Sequence, residues 1–198
     1  EMTRRRLDGY LVLDRKDQYW LTGFSGEDGA ALVTHRNVVL LTDGRFGETA
    51  EREAPWARKV IRRKRTADET AIQVKRERVS RLGFDPAHMP VAQFVALGAA
   101  LRTGKLVSAA GIVRELRQIK TPAEVDAIRS AIRIAEQALL AARSWIRPGR
   151  TEQEVAARLA YEMQRRGAES PAFPSIVASG ASGSLPHYTP GRAKRGGG

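Results

Sequence analysis

Apolar positions fall into two regimes along the chain. Up to about residue 110 they come in short runs: Leu-Asp-Gly-Tyr-Leu-Val-Leu over 7–13, Ala-Ala-Leu-Val-Thr over 30–34 and Val-Val-Leu-Leu-Thr over 38–42. Runs this short, apolar and bounded by charge or turn residues, read as buried strands. His35-Arg36-Asn37 joins the second to the third as a hairpin. The stretch 18–26, Gln-Tyr-Trp-Leu-Thr-Gly-Phe-Ser-Gly, reads as aromatics with a glycine-rich turn, and Asp43-Gly44-Arg45 closes the third strand. A short helix follows over 46–53, then a strand over 58–62. Thr66-Ala-Asp-Glu69 has the form of a capping box and predicts a helix through about residue 80. A strand over 82–85, a helix over 90–102 and a strand over 106–109 complete the first part. Strands alternating with helices predict an α/β fold, a mixed sheet with helices on its faces.

From residue 113 the period lengthens. Val125, Ile128, Ile132, Ala135, Leu139, Ala142 and Ile146 lay one stripe along a helix of about six turns. Thr121-Pro-Ala-Glu124 opens it as a capping box with proline at the first helical position, and Pro148-Gly149 stops it. Thr151-Glu-Gln-Glu154 opens another helix, with Val155, Leu159 and Met163 on one face and Gly167 as its cap. The change of pattern divides the chain into domains 1–112 and 113–198. No internal repeat is present.

Composition narrows the function classes. The 198 residues, 42% hydrophobic and 28% charged, suit one or two globular domains. No cysteine is present, which excludes disulfides and thiolate metal ligands. No run approaches the roughly 20 apolar residues of a membrane span, and the N-terminus is charged, so a cytoplasmic location without a membrane partner is expected. The net charge of +12 raises the question of nucleic acid. Its arginines are dispersed, however, and lack interleaved aromatics or a reading motif, so nucleic acid is not expected as the primary partner.

The richest stretch is 171–190, Pro-Ala-Phe-Pro-Ser-Ile-Val-Ala-Ser-Gly-Ala-Ser-Gly-Ser-Leu-Pro-His-Tyr-Thr-Pro. A short strand over 176–178 is expected to lead into a loop of small residues that presents His187, with Pro186 fixing the backbone before it. Phe-Pro-Ser-Ile-Val-Ala-Ser-Gly followed by Leu-Pro-His-Tyr resembles the substrate-side loop of Xaa-Pro aminopeptidases and prolidases. These are creatinase-like metallopeptidases of the pita-bread fold. Tyr-Trp-Leu-Thr-Gly-Phe-Ser-Gly and Thr-Asp-Gly-Arg resemble segments of their amino-terminal domain. Ile-Lys-Thr-Pro-Ala-Glu and Arg-Pro-Gly-Arg-Thr-Glu-Gln-Glu-Val resemble the opening of their catalytic domain, so the likeness spans nearly the whole chain.

The resemblance implies a creatinase-type N-terminal mixed-sheet domain followed by the first part of a pita-bread (α+β) domain. It implies hydrolysis of the bond before proline in proline-containing peptides, a homodimer, and two divalent ions, Mn or Co, in the full-length family. It gives His187 a catalytic role, orienting substrate and stabilising the reacting carbonyl. The family's metal ligands come later in its chain than residue 198, so no cofactor is expected in this chain and activity is not expected from it alone.

Other chemistries find less support. His35 and His88 lie far from His187 in sequence, and Asp43 and Asp85 sit at strand ends, where capping or turn formation is expected of them. No Gly-x-Ser-x-Gly elbow and no phosphate-cradling Gly-Lys-Ser/Thr is present. Trp20, Trp56 and Trp145 are expected to be core or interface anchors. The alternative to an enzyme is a non-catalytic binding or scaffold protein of the same fold, whose basic surface meets an acidic partner.

Overall fold

The computed structural model describes residues 1–102 and 104–192, in two compact units that meet between Ile119 and Lys120. The first unit is built on a six-stranded sheet: β1 (Gly9–Val12), β2 (Gly29–Thr34), β3 (Val38–Thr42), β4 (Arg58–Ile61), β5 (Arg81–Phe84) and β6 (Lys105–Ser108), in spatial order β4-β3-β2-β1-β5-β6. The pairs β1–β2 and β2–β3 are antiparallel, and the others are parallel. The expected hairpin is the pair β2–β3, with Ala31 opposite Leu40 and Leu32 opposite Val39.

Continuous apolar runs are explained by burial on both faces. Leu11, Leu32, Val39, Leu41, Leu82 and Phe84 point to one side, where they pack with Val74 of helix α3 (Thr66–Arg76) and Leu97 of α4 (Val91–Ala100). Their alternating neighbours Tyr10, Val12 and Ala31 point to the other side, against Ile112 and Val113 of α5 (Ile112–Gln118). Leu40 joins Phe24 and the alanines of α2 (Gly47–Glu53) and its exit, Ala50, Ala54 and Ala57.

Two local expectations are corrected. The stretch read as aromatics and a turn overlaps helix α1 (Arg15–Thr22): the Asp14 side chain accepts from the Asp17 amide at 2.9 Å, and Gly23 caps the far end at φ 77°. Gln18 then donates to the carbonyls of Leu13 and Gly29, tying α1 to the strands on either side of it. The expected Thr66–Glu69 capping box does not form. The helix begins at Thr66 itself, its N-cap Arg65 makes no capping bond, and the Arg65 guanidinium pairs with Asp68.

The second unit contains α6 (Pro122–Ala142) and α7 (Glu152–Arg165), packed on each other through buried Ala138, Ala142 and Val155. Both expected capping boxes form: Glu124 accepts from the Thr121 amide at 2.7 Å, and Glu154 from the Thr151 amide at 2.8 Å, with the reciprocal bonds present. Glu162 is buried on α7 among Arg158, Arg165 and Arg166, and the Arg166 contact does most to hold its carboxyl below the usual range. Arg158 lies against the rings of both Trp145 and Tyr161. Much of the α6 stripe is uncovered: Ile128, Ile132 and Leu139 are each about half exposed or more.

Candidate functional site

The loop that carries His187 is fixed at both ends by one carboxylate. Glu152 is the first residue of α7, which directs its side chain away from the helix toward the chain after residue 178. Its Oε1 accepts from the Ser179 amide at 2.7 Å and from the Ser179 hydroxyl at 2.9 Å. Its Oε2 accepts from the Gly191 amide at 3.0 Å, and the Gly191 carbonyl accepts in turn from the Gln153 amide. Only 2% of Glu152 is exposed. The Gly191 amide, with the Tyr188 hydroxyl and the Ser179 groups, stabilises the ionised form and pulls its carboxyl down to about 2.

Between these ends the chain makes a short 3₁₀ turn (Gly180–Ser184), then Leu185 and Pro186, and reaches His187 at φ 58°. A left-handed backbone is uncommon for a residue with a side chain, and such residues persist where their surroundings hold them. His187 and Tyr188, with Thr189 and Pro190, form one wall of an open cleft of about 440 Å³. Phe173, Pro174, Ser175 and Ile176 form the other. The expected strand over 176–178 is absent: these residues pair with no strand, and Ile176 lines the cleft instead. A larger apolar groove, about 800 Å³, lies in the same unit between α6, α7 and 167–176, and Ile176 lines both.

The cleft is suited to a compact apolar group beside one imidazole that can donate or accept a hydrogen bond. The Tyr188 phenol is the other titratable side chain in its lining, and no carboxylate lines it. Among the described residues no group of three or more His, Cys, Asp or Glu converges as a metal site. The donor set around His187 therefore does not by itself fit the two-ion centre that the resemblance implies.

The remaining candidates are structural. The His35 ring bonds the Leu7 carbonyl at 2.9 Å, and His88 lies 3.6 Å from Asp14. Asp43 binds its neighbour Arg45, and Asp85 accepts from the amides of Ala87 and Gly111. Trp20 packs against the sheet and Trp145 against arginines, whereas Trp56 is 59% exposed and anchors no core. No helix among the described residues is long and apolar enough to cross a membrane. Glu152 escaped the sequence reading, which used Thr151 and Glu154 of the same capping box. Its signal was an additional acid at the first helical position, where capping does not require one.

Comparison with known proteins covers nearly the whole chain. Residues 1–119 match the Creatinase/Prolidase N-terminal domain, and residues 126–197 match Metallopeptidase family M24. The uncharacterized peptidase YqhT of Bacillus subtilis is 31% identical over 91% of this chain and 51% of its own length. The Xaa-Pro dipeptidase of Pyrococcus horikoshii is 29% identical over 94% of this chain and 52% of its own. A solved Xaa-Pro dipeptidase from Bacillus anthracis superimposes with a TM-score of 0.91 at 30% identity, over 98% of this chain and 54% of the other. The chain thus spans about half the length of the curated relatives it matches. With both matches in the family's order, and a fold that superimposes over almost every residue, the chain belongs to the Xaa-Pro peptidase and prolidase family of M24 metallopeptidases, with a creatinase-type N-terminal domain ahead of pita-bread sequence.

Proposed function

We propose that this chain supplies the substrate-orienting side of a Xaa-Pro peptidase site, with His187 as the residue that touches the peptide. The observation that carries the reading is His187 on the wall of an apolar cleft, within the segment matched to the M24 family. In the hydrolysis, water adds to the carbonyl carbon of the residue before proline. The tetrahedral adduct then collapses, the C–N bond to the proline nitrogen breaks, and that nitrogen takes up a proton. His187 donates a hydrogen bond to the carbonyl oxygen as it gains negative charge, the step at which such a donor counts most. Phe173, Pro174, Ile176 and Pro190 offer the apolar surface against which a pyrrolidine ring packs.

The reading includes Mn or Co as the family's ions, a homodimer and a cytoplasmic location. The half-exposed apolar residues of α6 support an assembly that covers them. It also holds that the 198 residues alone do not turn over peptide. No observation favours the non-catalytic scaffold over this reading.

The test is a titration of the chain with an Ala-Pro dipeptide, followed by the ring resonances of His187. A saturable shift is expected, lost in His187→Ala. No shift at millimolar dipeptide would refute the role of His187. Stoichiometric binding of two Mn ions with release of proline would refute the inactivity of the chain.

A further inference from the structure

We propose that Glu152 is the positioning residue for His187, a single buried carboxylate that clamps both ends of the 179–191 loop and thereby fixes the direction in which the imidazole faces the cleft. What His187 then does rests on the proposed function; the clamp does not.

The argument is geometric. Three donors from two points twelve residues apart converge on one side chain, with Ser179 on Oε1 and Gly191 on Oε2. A loop closed in this way has one span between its ends, and little freedom is left to the residues within it. His187 sits near the second end, four residues before Gly191, in a left-handed backbone that needs such support. Helix capping does not account for the arrangement, since Thr151 and Glu154 satisfy the cap between them.

Only an ionised carboxylate serves both ends. A glutamine offers one acceptor oxygen, and its NH₂ would face an N–H at the other end, donor against donor. Glu152→Gln is therefore expected to release one end while the Gln153 to Gly191 bond keeps the loop near its place. Glu152→Asp keeps both acceptors on a stem one methylene shorter and should restore part of the effect.

The experiment uses the 198-residue chain and two readouts: amide exchange at Ser179 and Gly191, and the ring resonances of His187. In Glu152→Gln, exchange at Ser179 or Gly191 is expected to rise about tenfold or more, the loss of a bond to a charged acceptor. The His187 signals should broaden or split at the same time. Glu154→Ala, which weakens the start of α7 without touching the loop donors, should leave the His187 signals unchanged. Should Glu152→Gln fail to fold, Ser179→Ala removes one of the three bonds and should raise exchange at the Ser179 amide in a folded chain.

Unchanged exchange and unchanged His187 signals in a folded Glu152 variant would overturn the proposal. So would equal effects from Glu154→Ala, which would reduce Glu152 to a helix-starting residue. The Ala-Pro titration separates the two readings. A working clamp with no peptide response at His187 sinks the proposed function alone. A peptide response identical in wild type and Glu152→Gln, with exchange unchanged, sinks the clamp alone.

Discussion

Replacing Gly26 by alanine should destabilise the first unit through one neighbour, the ring of Phe24. A Cβ at Gly26 would lie 2.1 Å from Cζ of Phe24 and 2.7 and 2.8 Å from its Cε atoms, closer than carbon atoms can approach. The ring has nowhere to go: Phe24 is 1% exposed, enclosed by Leu40, Ala50, Ala54 and Ala57, and meets Phe46 edge to face at 6.3 Å. The backbone is held as well, because both the amide and the hydroxyl of Ser25 bond Glu53 at 2.8 Å. Overpacking of this kind costs ~1–3 kcal/mol. Phe24→Leu should cost ~1–2 kcal/mol, from the lost aromatic pair and a small cavity. Leucine has no atom where Cζ stood, so in the double variant the alanine at 26 no longer clashes. The double variant should therefore cost about as much as Phe24→Leu alone, a coupling of ~1–3 kcal/mol in favour of the pair. Urea titration read by amide exchange in β3 reports the first unit by itself. If the two single effects simply add within ~0.5 kcal/mol, the steric account is wrong.

Three further outcomes are expected. Thr151→Ala should cost ~1 kcal/mol by removing the acceptor for the Glu154 amide, read as earlier melting of helical circular dichroism. The Glu152 carboxyl is lowered in the folded chain, so its contribution is present above the ordinary glutamate range and lost as pH falls through that range toward about 2. The Gly191 amide resonance should hold its position from pH 7 to 5 and move only below that, while movement centred near pH 6 would contradict the clamp. Burial, aided by the nearby negative charges of Asp85 and Asp17, raises the Tyr10 phenol, whose hydroxyl donates to the Ala109 carbonyl at 3.0 Å. Its stabilising share should persist below pH 10 and fall away above it; Tyr10 should stay silent at 295 nm where exposed tyrosines ionise, and Tyr10→Phe should cost ~1 kcal/mol.

The strands and capped helices were legible because their causes are local. Two-sided burial writes continuous apolar runs such as 30–34 and 38–42, and a capping box binds residues three apart, as at Thr121–Glu124 and Thr151–Glu154. Helix α1 was missed because its buried face is made by the polar residues Asp17, Gln18 and Thr22, and the fold brings Arg117 to Asp17 and the Gly29 carbonyl to Gln18. At 66–69 the residue types of a capping box were present, but the helix begins one residue too early to use them.

The site divides the same way. His187, on which the proposed function rests, was singled out from sequence by the proline and small residues around its imidazole. Glu152 could not be, because its partners stand 27 and 39 residues away and only the turn of the chain back onto α7 brings them to one carboxylate. The sequence by itself determined most element types, the two capped helix starts at Thr121 and Thr151, and the family, all of which depend on neighbours along the chain. The tertiary structure alone decided which polar groups meet, how the sheet is ordered and which apolar stripes find cover, because those depend on residues that only folding makes neighbours.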